Sequence, residues 1–127
     1  MKRRNDAPGW RCPDWYWERG LHDAQILLVT ERVLPSDPRQ NCLEICLDSH
    51  DVMLDRTARC IRLYTYTIET PEWCFESAER LWWIRDTLKP LPDNRYRLKI
   101  GMETARGKHR ALVVTFKSAA VERGETA

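Results

Sequence analysis

TPEWCFESAERLWWIRDTLKPLP, residues Thr70 to Pro92, is the stretch on which the fold class turns, because it reads as the one helix of the chain. Thr70 offers a hydroxyl N-cap, Pro71 suits the first helical position, and Glu72 places a carboxylate near the positive end of the helix dipole. Cys74, Ala78, Leu81, Ile84 or Arg85, and Leu88 follow at helical spacing, and Pro90 and Pro92 close the segment. The pattern predicts an amphipathic helix from Pro71 to Lys89.

The flanking segments read as strands. Ala24 to Leu34 carries the apolar run AQILLV and ends at the PSDP turn of Pro35 to Pro38. In CLEICLD, Cys42 to Asp48, Leu43, Ile45 and Leu47 share one face, while Cys42, Glu44, Cys46 and Asp48 share the other. After a loop and the short VML segment, RCIRLYTYTIE from Arg59 to Glu69 is rich in β-branched and aromatic residues and predicts a third strand. Near the C-terminus, pairing Ile100 with Leu112, Leu98 with Val114 and Tyr96 with Phe116 puts every apolar residue on one face. That register leaves Ala105-Arg106-Gly107 as a hairpin loop with Gly107 at its left-handed position. The expected fold is therefore α+β: an antiparallel sheet of about five strands, with one amphipathic helix packed on one face and a closing β-hairpin.

A length of 127 residues fits one domain, expected over residues 14–121 between a flexible arm at 1–13 and a frayed tail at 122–127. The apolar fraction is 43% and the charged fraction 31%, as in globular rather than disordered chains. Lys and Arg number 21 against 19 Asp and Glu, so net charge exerts no strong pull toward nucleic acid or acidic lipid. MKRRNDAPGW has the charge of a signal peptide's first region without the apolar segment, and no stretch approaches ~18 apolar residues. Cytoplasmic location and no membrane contact are expected. The five cysteines (Cys12, Cys42, Cys46, Cys60, Cys74) are odd in number and lack a C-x-x-C, which suits reduced thiols.

Four groups of residues could carry function. His22-Asp23 has the elements of a general base, but neighbours on an extended chain point apart, and no G-x-S-x-G or comparable nucleophile signature accompanies them. The pair is read as ordering a turn into the first strand, and no catalytic residue is assigned. For metals, Cys42 and Cys46 on one strand lie about 13 Å apart, too far for one zinc with thiolate bonds of ~2.3 Å, so neither metal site nor cofactor is assigned. Trp15, Trp17, Trp82 and Trp83 belong to a set of six tryptophans that serves either as core or as a stacking and interface surface. Because Trp82 and Trp83 are adjacent, at least one should lie at the margin of the apolar stripe. The last group is the basic hairpin, Arg95, Arg97, Lys99, Lys108 and Arg110 with Arg106, which could follow a phosphate backbone or simply be the solvated face of a sheet.

The aromatic opening DWYWERG followed by L-H-D-A-x-I, here Leu21, His22, Asp23, Ala24 and Ile26, resembles the start of a loose set of small bacterial proteins, some of them immunity proteins of toxin systems. The resemblance implies an α+β domain without catalytic residues that binds a protein. Together with the absence of a catalytic signature, it points to a non-enzymatic protein-binding, immunity-like or self-associating domain. Trp15, Trp17, His22, Asp23, Trp82, Trp83 and the hairpin cations are its candidate contacts. The second reading is a nucleic-acid-binding module built on the basic hairpin and an exposed tryptophan.

Overall fold

The computed structural model describes residues 13–17, 20–49, 56–70, 73 and 80–124. Among them run eight strands: β1 (Gln25–Arg32), β2 (Cys42–Asp48), β3 (Ala58–Tyr64), β4 (Thr67–Ile68), β5 (Leu81–Leu91), β6 (Arg95–Thr104), β7 (His109–Phe116) and β8 (Ser118–Arg123). All pairings are antiparallel, in the order β4-β7-β6-β5-β1-β2-β3-β8. The only helical elements among these residues are single 3-10 turns at Pro38–Gln40 and Pro92–Asn94.

Each end of that order continues the strand beside the opposite end, β4 following β3 and β8 following β7 along the chain. One register runs from Ile61↔Val121 through Tyr64↔Ser118 to Thr67↔Thr115 and Ile68↔Val114. Lys117 N–H donates to the Tyr64 carbonyl at the join, 3.0 Å away. β3 with β4 and β7 with β8 are thus two long walls, the first kinked at Thr65, whose φ is 52°. Six walls close into a barrel, β1, β2, β3/β4, β8/β7, β6, β5 and back to β1. Closure satisfies backbone donors that an open sheet would leave at its edges.

This replaces the expected α+β fold. Residues 71–72 and 74–79 of the expected helix lie outside the described residues, and Leu81–Leu91 is a strand paired with β6 along its whole length. The helical spacing has a physical origin. A β-bulge between Trp83 and Arg85 inserts one residue into the alternation, so the inward positions are Leu81, Trp83, Asp86 and Leu88. The extra residue and the polar Asp86 hide a period of two. What remains visible, Leu81, Ile84 and Leu88, mimics a helical stripe. Pro90 is tolerated because the β1 ladder against β5 involves only Gln25↔Trp82 and Ile26↔Leu81. The following turn uses Asp93 and Asn94 at φ values of 73° and 57°, a left-handed conformation these two residues accept more readily than most.

Other strands form as their alternation dictates. Cys42–Asp48 is β2, with Leu43, Ile45 and Leu47 buried, and the Arg59–Glu69 segment becomes β3 and β4. The β6–β7 hairpin has the expected register, including Ile100↔Leu112, Leu98↔Val114 and Tyr96↔Phe116, with Gly107 at φ 82°. β8 extends through Glu122 and Arg123, two residues into the tail expected to fray, because these pair with Cys60 and Ala58 of β3. VML at 52–54 and most of the 1–13 arm lie outside the described residues.

The barrel interior is filled. Leu43, Ile45, Ile61, Leu63, Leu81, Trp83, Leu88, Leu98, Ile100, Met102 and Phe116 are fully buried inside it. Each such side chain contributes about 1.5–3 kcal/mol on burial. Trp15, Tyr16 and Trp17 stopper one part of this core: Trp15 meets Tyr96 and Phe116 with ring centres 5.6 Å apart in each case, and Trp17 meets Trp83 at 5.3 Å.

Candidate functional site

Asp86 anchors the aromatic stopper. Trp17 Nε1 donates to its Oδ2 at 2.9 Å, Trp83 Nε1 donates to the same oxygen at 2.7 Å, and the Tyr16 hydroxyl donates to Oδ1. The carboxylate is only 6% exposed. Three neutral donors from two distant segments occupy both of its oxygens, which makes it a joint between the N-terminal segment and β5. Trp15, Trp17 and Trp83 are consumed in this packing, and Trp82 is half-buried on the outer face opposite Glu103 and Gln25. No tryptophan platform is presented to solvent among the described residues.

His22 and Asp23 lie in the turn before β1. Asp23 adopts φ 74°, and this bend, not available to an extended chain, brings its Oδ1 to 3.5 Å from His22 Nε2. The expected divergence of the two side chains therefore does not occur. His22 Nδ1 donates to the Ile84 carbonyl at 2.5 Å, and Asp23 N–H donates to the Trp83 carbonyl at 2.7 Å. Both side chains are well exposed, and the His22 ring and the Asp23 backbone N–H tie the start of β1 to β5 where the ladder is shortest.

The basic hairpin is less continuous than its sequence. Arg97 is engaged by Glu69, with Nε 2.9 Å and Nη2 3.3 Å from the two carboxylate oxygens. Those bonds and one from the Thr115 hydroxyl hold the Glu69 carboxyl below its usual range. Arg95 lies 3.8 Å from Asp93. Arg110 pairs with buried Met102, so it leaves the row, and its guanidinium sits 4.6 Å from the centre of the Trp73 ring. Lys99 and Lys108 are exposed, and β5 adds Lys89 opposite Arg97.

Sequence reasoning missed the cluster on the outside of β2 and β3. Glu44, Cys46, Cys60 and Arg62 project there because Ile45, Leu47, Ile61 and Leu63 point inward. Cys46 and Cys60 are direct cross-strand partners with sulfurs 3.9 Å apart. Glu44 Oε2 accepts from Arg62 Nε at 2.9 Å and Arg32 Nη1 at 3.0 Å, and Arg62 also reaches Glu122 at 3.6 Å. Glu44 Oε1 lies 3.8 Å from Cys46 Sγ. Burial works to raise the Glu44 pKa, but the hydrogen bonds from Arg62 and Arg32 outweigh it and hold the carboxyl below its usual range. Burial pushes both thiols up, Cys60 to about 12. The shared outward face is readable from the alternation; the register opposing Cys46 to Cys60 is not, because the loop and VML segment between them fix no pairing offset. Cys42 shares the face with Cys46 as expected. Cys12 and Cys74 lie outside the described residues.

An open groove of about 700 Å³ is lined by Glu31, Val33, Pro38, Arg39, Asn41 and Thr65–Ile68. The exposed large apolar side chains among the described residues are Leu27, Leu28, Val33 and Leu34, of which Val33 also lines the groove. The bulge between Ile26 and Leu28 accounts for two adjacent leucines facing out. No helix among the described residues is long and apolar enough to cross a membrane. Comparison with protein-family models, curated proteins and solved structures finds no match to this chain.

Proposed function

We propose that this barrel is a non-catalytic protein-binding domain whose contact face is β1 with the turn that follows it, and that a second copy of the chain is its partner. The observation that carries the reading is the crowding of Leu27, Leu28, Val33 and Leu34 within eight residues, with Val33 65% exposed and also lining the open groove. Scattered surface apolar residues need no explanation, but four large ones within eight residues favour contact with another chain. Glu31 and Arg32 lie within this stretch and Arg39 lines the groove with Val33, and a face carrying both charge signs can complement itself about a two-fold axis. The likeness of Leu21–Ile26 to immunity proteins implied an α+β fold, so support here comes from the apolar surface and not from that likeness.

Sedimentation over a range of protein concentrations tests this reading. A monomer–dimer equilibrium that Val33→Asp and Leu27→Asp each abolish, with unchanged thermal unfolding, is expected. A wild type that stays monomeric at every concentration overturns it.

A further inference from the structure

The Glu44, Cys46 and Cys60 side chains have the donor set and spacing of a metal site. Both sulfurs and a Glu44 carboxylate oxygen lie within 4.8 Å of one another. Two thiolates on one tetrahedral ion with metal–sulfur bonds of ~2.3 Å stand roughly 3.8 Å apart. The Cys46 and Cys60 sulfurs are 3.9 Å apart, whereas a disulfide requires ~2.05 Å. We propose that Cys46, Cys60 and Glu44 bind one thiophilic divalent cation of the zinc class on the outer face of the barrel.

Three features favour such an ion. Glu44 is oriented by Arg32 and Arg62 through Oε2, which leaves Oε1 on the Cys46 side, and Arg62 is itself held by Glu122. A ligand fixed by outer partners in this way is characteristic of metal sites. Replacing two thiol protons by one divalent ion leaves the charge of the cluster unchanged, so the Arg32, Glu44, Arg62 and Glu122 balance is undisturbed. Finally, Cys60 is 4% exposed but Cys46 borders solvent, which gives the ion an entry path and leaves a fourth position for water. Two sulfurs and one oxygen select against calcium and magnesium, which take oxygen ligands.

The test is titration of the reduced full-length chain with cadmium(II), followed by ultraviolet thiolate-to-metal absorption and native mass spectrometry. The expected result is one ion per chain, with the mass of the ion less two hydrogens. Cys46→Ser, at the more exposed position, should weaken binding by more than ~100-fold, since loss of an outer partner alone costs 10–100-fold, and Glu44→Gln by about tenfold. Circular dichroism establishes that each variant is folded. Cys42→Ala and the double variant Cys12→Ser/Cys74→Ser should keep the site. A chain that takes up no cadmium overturns the proposal. So does absorption that survives Cys46→Ser or disappears with Cys12 and Cys74, or a reduced chain that forms a Cys46–Cys60 disulfide in air and then takes up no ion in its reduced form.

Discussion

Asp86 and Glu44 are two carboxylates largely withdrawn from water, and the barrel satisfies them in opposite ways. Asp86 faces inward and receives three neutral donors, the Tyr16 hydroxyl and the Trp17 and Trp83 indoles, which occupy both oxygens. Glu44 faces outward and receives two guanidinium groups on one oxygen, while the other faces a pair of thiols. The inner carboxylate is enclosed by donors fixed in the core and works as a joint. Its outer counterpart is oriented but still able to accept a ligand. A withdrawn acidic group thus marks a site only when its partners leave an oxygen available.

The largest expected effect comes from emptying the joint. Asp86→Ala leaves three donors without their acceptor at a cost of ~1–3 kcal/mol for each one that stays buried, so a loss of at least about 3 kcal/mol in urea unfolding is expected. A loss under ~1 kcal/mol would show that the stopper is not held by this carboxylate. Trp17→Phe removes one of the three hydrogen bonds and some ring volume, and should cost about 1–2 kcal/mol in the same experiment. If Trp17→Phe proved as damaging as Asp86→Ala, packing rather than hydrogen bonding would hold the segment.

On the outer side the effects are smaller and depend on pH. Glu44→Gln should cost about 1 kcal/mol or less at neutral pH, since the side chain is partly solvated. A carboxyl with a lowered folded-state pKa adds stability above its unfolded value of ~4.3, and that stability is lost as pH falls through the folded value. The difference between wild type and Glu44→Gln should therefore be constant from pH 7 to about 5 and shrink below about 4.5. A difference that grew on acidification would reverse the assigned sign. Least of all, Lys99→Glu on the exposed β6 face should change stability by less than ~0.5 kcal/mol and leave sedimentation unaltered. Binding to DNA or RNA at low salt that Lys99→Glu weakened would instead move the functional surface to the β5–β6 face.

Legibility followed how locally each feature was encoded. The β6–β7 hairpin could be read to its register because alternation and Gly107 agreed within about twenty residues. β2 was equally plain. β5 was misread because one bulge and one inward Asp86 together erased its period of two, and both make sense only once Tyr16 and Trp17, some seventy residues away, are in place. The same applies to the thiols: CLEICLD and RCIRLY each declare an outward cysteine, but their opposition is a property of strand pairing across an unsignalled connection. The run AQILLV reads as a strand, and its Leu27 and Leu28 both face outward because a bulge adds a residue to β1.

The contrast between the two carboxylates is tested most directly by carboxyl-carbon NMR of the reduced protein before and after one equivalent of cadmium(II). The Glu44 resonance should move on addition while that of Asp86 stays in place. Movement of Asp86, or of neither, would contradict the division between an enclosed inner carboxylate and an outer one that faces the thiols.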